Sequence, residues 1–477
     1  MKRLAVVILA GTLASAPARA YDPATTHAGL TERAAMASAL HKVLSRRLGR
    51  PLGLLEPLQI YSKYLQPSER RSLWTRLQAL DPAGGYRPGA DGSATALAWL
   101  VAGSVLSKTP PERGRNHFFD PSTRKGLDDS PGLSGLAHEL RLSFDTGASV
   151  REMATGTAFD LTGHSSLDWI AAPNNDAGLP ALFTHLERSV AAPDAAERES
   201  ALVRALLAMG GIMAVLEDAG EPAHVRNDFR GAFLRRRSAS SWDEGSAYER
   251  YVSSRYGRSG LPAAAPTVRR PTLESYFTGS DGEGLADRTQ RRFFSAGTLP
   301  QDPPADPAMT TRDVLRLVGE SMTYPQPAIP ELSLKDLGQP HYLVQDNRKV
   351  LGYVRVPGRV RFFLDESIYA DTAKAVLPEI AGYTAGLLDH LLRAGLQVQA
   401  SAGKATITLD GTSVSGDAKV RVFGDDVTGT RREIGVATLS GGTATVAVPA
   451  GIKRVAAVVR ARDAAGEFVA VGEGNVE

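Results

Sequence analysis

The sequence contains no cysteine. Disulfides, thiol catalysis, thiolate metal ligation and a lipidated cysteine anchor are therefore all excluded. It also has no P-loop, no G-x-G-x-x-G after a strand pattern, no H-E-x-x-H and no G-x-S-x-G. The usual signatures of nucleotide binding, zinc proteolysis and serine hydrolysis are thus missing. Any metal site must be built from His, Asp, Glu or main-chain groups. With 477 residues, 43% of them hydrophobic, the chain can bury a large core and is expected to divide into two or more domains.

The N-terminus MKRLAVVILAGTLASAPARA reads as a signal peptide over residues 1–20. It has a basic start, an apolar run from Leu4 to about Leu13, and an Ala-Arg-Ala cleavage site. A membrane anchor is the competing reading, but the run is too short for a bilayer core of roughly 30 Å. The expectation is an exported protein, secreted or periplasmic, that begins at Tyr21 and keeps no integral membrane segment. Cleavage would lower Lys+Arg from 55 to 52 by removing Lys2, Arg3 and Arg19, against 52 Asp+Glu. A neutral chain gives no support for a generally basic nucleic-acid-binding surface.

Over residues 25–48, Leu30, Ala34, Ala37, Leu40, Leu44 and Leu48 recur at helical spacing, with Thr25 or Thr26 as N-cap candidates and Gly49 and Pro51 as the stop. Leu202, Leu206, Met209, Met213 and Leu216 form a second apolar stripe after a capping-box-like Asp194 and Glu197; it runs toward Gly220, and Pro222 forbids continuation. Helical spacing recurs in "GLPALFTHLERSV" and "AKAVLPEIAGYTAGLLDHLLRAG". Long loops are expected over about 230–306, broken by a short helix near "SAYERYVSSRYG". "HYLVQDNRKVLGYVRVPGRVRFFLDES" reads as a hairpin. After Gly395 the period becomes two, and residues 398–477 are expected to form a β-sandwich of immunoglobulin-like type.

The chemistry concentrates in "LEDAGEPAHVRNDF", where Asp218, His224 and Asp228 surround the proline that ends the apolar helix. A carboxylate and an imidazole suit zinc at roughly 2.0–2.2 Å. The same residues also admit a structural reading, in which Asp218 compensates a local positive charge, His224 bonds a loop carbonyl and Asp228 caps the next helix. His41, His138, His185 and His390 read as surface or boundary helix residues, and His164 as a structural hydrogen-bonding histidine. Arg235, Arg236 and Arg237 read as a solvated loop, with lipid phosphate contact as the alternative.

Four segments taken together, "YDPATTHAGLTERAA", "GRNHFFDP", "LEDAGEPAHVRNDF" and "SAYERYV", resemble the zinc-dependent phospholipase C and single-strand-specific nuclease family. The resemblance spans Tyr21 to about Tyr256. It implies a mainly α fold, with a helical phospholipase C/nuclease-like domain over 21–397 ahead of the sandwich. It implies zinc ligation by the Tyr21 terminus, His27, His117, Asp218, His224 and Glu249, with Asp218 bridging two ions and Asp228 able to substitute for a lost ligand. The sequence departs from the family pattern at Lys108, Ala214 and Gly245, where ligands are expected. Fewer than three zinc ions are therefore expected, and an ammonium at 108 could replace one of them electrostatically. The implied function is an exported zinc-dependent phosphodiester hydrolase acting on phospholipid, with transient contact to a membrane surface, or less readily on single-stranded nucleic acid. The alternatives are a catalytically degenerate binding or surface module, and a platform for a sandwich that binds polysaccharide or a protein partner.

Overall fold

The computed structural model describes residues 23–109, 111–127, 165–228, 246–299, 309–310, 313–314, 316, 335–336 and 341–477. Residues 1–22, with Tyr21 and the expected signal segment, lie outside them, as do His138, His164, Gly245 and the arginine run at 235–237.

The helices are α1 (Ala28–Ala37), α2 (Leu40–Arg47), α3 (Pro67–Gln78), α4 (Ala96–Leu106), α5 (Ser166–Ala171), α6 (Leu179–Ala191), α7 (Ala195–Asp218), α8 (Ala247–Tyr256), α9 (Leu273–Phe277), α10 (Leu285–Arg292) and α11 (Glu366–Leu391). The centre is α7, buried from Ser200 onward at every position but Arg204, as expected of a helix that is apolar nearly all round. By length and hydropathy α7 could cross a bilayer, but 89% of its apolar window is covered by the rest of the protein. It is the core helix, with α4, α6 and α11 packed around it.

The α4/α7 crossing rests on two glycines. A Cβ at Gly210 would lie 2.0 Å from the Leu100 carbonyl oxygen, and one at Gly103 would lie 2.2 Å from that of Leu207. Backbone therefore meets backbone, and only glycine fits. Gly210→Ala is expected to force the helices apart at a cost of about 1–3 kcal/mol. Thermal denaturation checks this, and an unchanged midpoint would contradict so close an approach.

Several local expectations are corrected. The predicted helix over 25–48 is two helices, broken where Ser38 turns extended at ψ 174°. Neither Thr25 nor Thr26 caps it, because a single π-turn at Pro23–His27 runs straight into α1 and His27 is itself helical at φ −61° and ψ −45°. Thr25 instead shares a hydrogen bond with Ser253 Oγ at 3.0 Å. Asp194 does cap α7, accepting from the Ala196 amide at 2.8 Å, but Glu197 pairs with Arg188 at 2.9 Å rather than closing a capping box. The loop-rich stretch carries two further helices, α9 and α10. His390 is not at the surface: it is buried against Tyr276, with ring centroids 5.6 Å apart, and burial pushes its pKa down to about 4.

The strands are β1 (Pro57–Gln59), β2 (Ser93–Thr95), β3 (Lys335–Asp336), β4 (His341–Gln345), β5 (Arg348–Val356), β6 (Arg359–Phe363), β7 (Gly395–Ser401), β8 (Lys404–Asp410), β9 (Lys419–Asp425), β10 (Arg431–Thr438), β11 (Thr443–Ala447), β12 (Arg454–Asp463) and β13 (Gly466–Asn475). The expected hairpin is larger, a four-stranded antiparallel sheet β3-β4-β5-β6. The C-terminal strands form two antiparallel sheets, β10-β9-β12-β13 against β11-β8-β7. This seven-stranded arrangement is immunoglobulin-like, and its first strand starts at Gly395, three residues before the expected boundary.

Three residues join α11 to β7, and one of them, Arg393, is tied to Asp463 at 2.8 and 2.9 Å and to the Gly466 carbonyl at 3.0 Å. Phe423, Ala456, Val458, Val469 and Val471 of the sandwich belong to the same hydrophobic cluster as the helices. Buried Arg431 bonds the Val190 carbonyl of α6 at 2.9 Å and, on its own sheet, Asp425 and Glu473.

Candidate metal centre

Asp218 is the last residue of α7 and is fully buried. The helix C-terminus adds partial negative charge to its carboxylate, so the spot attracts cations and N–H donors. Three nitrogens converge on it. The Lys108 ammonium, two residues beyond α4, lies 2.9 Å from Oδ1. His27 Nε2 lies 3.2 Å from the same oxygen, and His117 Nδ1 lies 2.6 Å from Oδ2. Burial opposes ionisation of Asp218, but Lys108, His27 and His224 outweigh it and hold the carboxyl well below the usual carboxylate range. His117 is buried, and burial pushes it down to about 4. The neutral ring donates Nδ1–H to Asp218, leaving a buried Nε2 with no hydrogen-bond partner among the described residues.

Behind His27 sits Glu217. Its Oε2 lies 2.5 Å from His27 Nδ1, and its Oε1 accepts from the Thr31 hydroxyl at 2.9 Å. Burial acts against the His27 charge, but Asp218 and both carboxylate hydrogen bonds raise its pKa. Burial also raises that of Glu217.

The chain reverses after α7 through a turn at 219–223, and a short 3-10 turn, His224–Arg226, brings His224 back beside Asp218. The His224 ring stacks on Phe118 at 4.2 Å and 7°, and its Nδ1 donates to the His117 carbonyl at 3.0 Å. Burial holds His224 down to about 3, so the ring is neutral. With the proton on Nδ1, the lone pair on Nε2 is free for a metal, and that buried atom has no hydrogen-bond partner among the described residues. Glu249 Oε1 stands 3.7 Å from it. Asp218, His224 and Glu249 each offer a ligand atom, all within 4.8 Å of one another and all buried. One imidazole and two carboxylates form a donor set that suits zinc.

Glu221 locks this arrangement. Its Oε2 accepts from the His224 amide at 2.8 Å, and its Oε1 accepts from the Ser246 hydroxyl at 2.8 Å, at the start of α8. Ser246 in turn caps α8 through Glu249, so His224 and Glu249 reach the centre in register. Burial and the nearby Glu249 raise the Glu221 pKa well above the carboxylate range.

Of the residues singled out from sequence, His27, His117, Asp218, His224 and Glu249 meet here. Asp228 does not join the three-donor cluster, because its Oδ2 accepts the Gly297 amide at 2.7 Å and pins a distant loop. The residues that follow Asp228, and with them the helix it was expected to cap, lie outside the described residues. Asp120 closes its own turn with Ser122 and Gln290. Ala214 is buried within α7 and supplies no ligand. Two elements of the structural reading also hold: Asp218 neutralises a buried cation, and His224 bonds a loop carbonyl. Glu217 and Glu221 were missed from sequence; their signal was two further carboxylates beside Asp218 at the end of a long apolar stripe.

No protein-family model and no curated protein matches the chain. Among solved structures it is similar to the alpha toxin of Clostridium absonum, at 12% identity and a TM-score of 0.27 over 96% of both chains. It is also similar to the alpha-toxin of Clostridium perfringens from avian strain SWCP, at 11% identity and a TM-score of 0.24 over 96% of this chain and all of that one. Likeness this distant decides neither activity nor ligand.

Proposed function

We propose that the chain is an exported zinc-dependent phosphodiester hydrolase of phospholipase C type, with one protein-held zinc. The observation that carries this reading is the buried trio Asp218, His224 and Glu249, whose imidazole nitrogen is aimed at two carboxylates with its lone pair unspent. Bound zinc would lower the pKa of a water toward roughly 7 and polarise a phosphoryl oxygen. The chain's own part is to hold the ligands still. Phe118 fixes the His224 ring plane, the His117 carbonyl fixes its tautomer, and Glu221 sets the spacing between His224 and Glu249. Phospholipid is the substrate class proposed, since the balanced charge of the processed chain offers no general attraction to nucleic acid.

A second reading, a binding or surface module without turnover, is favoured by Lys108, whose ammonium 2.9 Å from Asp218 Oδ1 supplies positive charge to that carboxylate from the chain itself. Zinc content and hydrolysis of phosphatidylcholine vesicles, measured on protein with its native Tyr21 terminus, separate the two. His224→Ala is expected to remove the zinc and to lower hydrolysis by more than the roughly 10–100-fold typical of changes behind a ligand. Hydrolysis that survives this substitution would overturn the hydrolase assignment, and a zinc-free native protein would favour the second reading.

A further inference from the structure

We propose that a cavity between α3, α6 and α7 binds a phosphoryl group, as inorganic phosphate or a phosphomonoester, apart from the metal centre. The site does not rest on the hydrolase reading and requires no metal.

The cavity holds about 80 Å³, where one ordered water requires about 10–15 Å³. Its lining is apolar where α4 crosses α7, at Leu106 and Leu207, and at Leu73 of α3, all of them buried. Three helices each bring a nitrogen-bearing side chain to it: Arg76 from α3, His185 from α6 and Arg204 from α7. Each of the three keeps a buried nitrogen, Nε of both arginines and Nδ1 of the histidine, with no hydrogen-bond partner among the described residues. Arg204 precedes Asp218 on α7 by about 21 Å at 1.5 Å per residue, which separates the cavity from the metal centre.

Charge favours an anion. Arg76 and Arg113 both pair with Asp176, at 2.5 and 2.6 Å, and Arg204 pairs with Glu69. Three guanidiniums thus meet two carboxylates, with one positive charge in surplus. Burial, Arg204 and Arg188 push the His185 ring down to about 3, so it is neutral and can carry its proton on Nδ1. Guanidinium N–H groups form charge-assisted hydrogen bonds with phosphate oxygens, and apolar surroundings strengthen that attraction by excluding water.

The two carboxylates select among anions. Phosphate near neutral pH retains an O–H, which can donate to Glu69 or Asp176 while its other oxygens accept from Arg76, Arg204 and His185. Sulfate has no such proton and would meet the carboxylates with bare oxygens. A lining of donors and carboxylates together therefore matches phosphate and not sulfate.

The test is isothermal titration calorimetry with inorganic phosphate, phosphocholine and sulfate at constant ionic strength, on protein with and without chelator treatment. Phosphate is expected to bind with the same affinity before and after chelation, and about tenfold or more tightly than sulfate, the worth of one charge-assisted hydrogen bond. Phosphocholine binding with the same independence of chelator upholds the inference with monoesters admitted; its exclusion upholds it for inorganic phosphate alone. Arg76→Gln, which leaves Asp176 to Arg113, is expected to weaken phosphate by about tenfold or more. Arg421→Gln, which removes the same charge from the sandwich surface, should change it by less than about twofold, since salt screens so remote a charge. Binding that chelation abolishes puts the phosphate on the metal, which overturns the inference and supports the hydrolase. Sulfate binding as tight as that of phosphate, or full affinity in Arg76→Gln, also overturns it. Should Arg76→Gln not fold, the native protein decides: the His185 ring resonance, identified by its loss in His185→Gln, must move along the calorimetric saturation curve, and an unmoved resonance overturns the inference.

Discussion

Asp218→Ala is expected to destabilise the protein by about 3–5 kcal/mol and to abolish zinc binding. The cost comes from what the substitution strands. Lys108 would keep a buried ammonium without the carboxylate 2.9 Å away, and His27 and His117 would each lose a contact to the same group. Removing one member of a buried ion pair costs far more than the pair itself contributes, because the remaining charge has no water to turn to. Asp218→Asn keeps an oxygen for one donor and loses only the charge, so it should fall between Ala and the native residue. Chemical denaturation read by far-UV circular dichroism measures both. A midpoint for Asp218→Ala within error of native would show that the three nitrogens do not depend on this carboxylate.

A comparable loss, about 3–5 kcal/mol, is expected for Arg431→Ala. The guanidinium is 3% exposed, takes Asp425 in a two-pronged bond at 2.6 and 2.8 Å, and holds Glu473 at 3.1 Å. Without it the largely buried Asp425 loses both prongs, Glu473 is left with Arg454 at 3.2 Å, and the Val190 carbonyl loses its donor. Arg431→Lys should recover little, since a single ammonium cannot reproduce the planar fork. Arg421 and Glu433 supply the contrast. That pair lies on the same sheet with both side chains 40% exposed or more, so its disruption should cost under about 1 kcal/mol. Equal losses from the two pairs in urea titrations would defeat the distinction.

The parts of the fold that could be read from sequence are those fixed by local repetition. The stripe from Leu202 to Leu216 gave α7, and period-two alternation after Gly395 gave the sandwich strands. The glycine crossing of α4 on α7 has no local signature, because Gly103 matters only through Leu207 and Gly210 only through Leu100. The site divides along the same line. Asp218 and His224 stand out locally as polar residues at the end of an apolar helix, whereas the Lys108 contact spans 110 residues of chain and depends on that crossing. Glu221 was passed over because its role, holding a main-chain amide and a helix cap together, leaves no pattern of spacing. Asp228 shows the converse: its proximity in sequence to His224 drew it into the expected ligand set, but the reversal of the chain carries it to Gly297.

The short joint between α11 and β7, tied down by Arg393, has a consequence for how the molecule comes apart. Five sandwich residues complete the hydrophobic cluster that the helices begin, so neither half can be exposed without stripping apolar surface from the other. Melting of one half should therefore entrain the other, and the whole chain would lose its structure in a single cooperative step instead of as beads on a string.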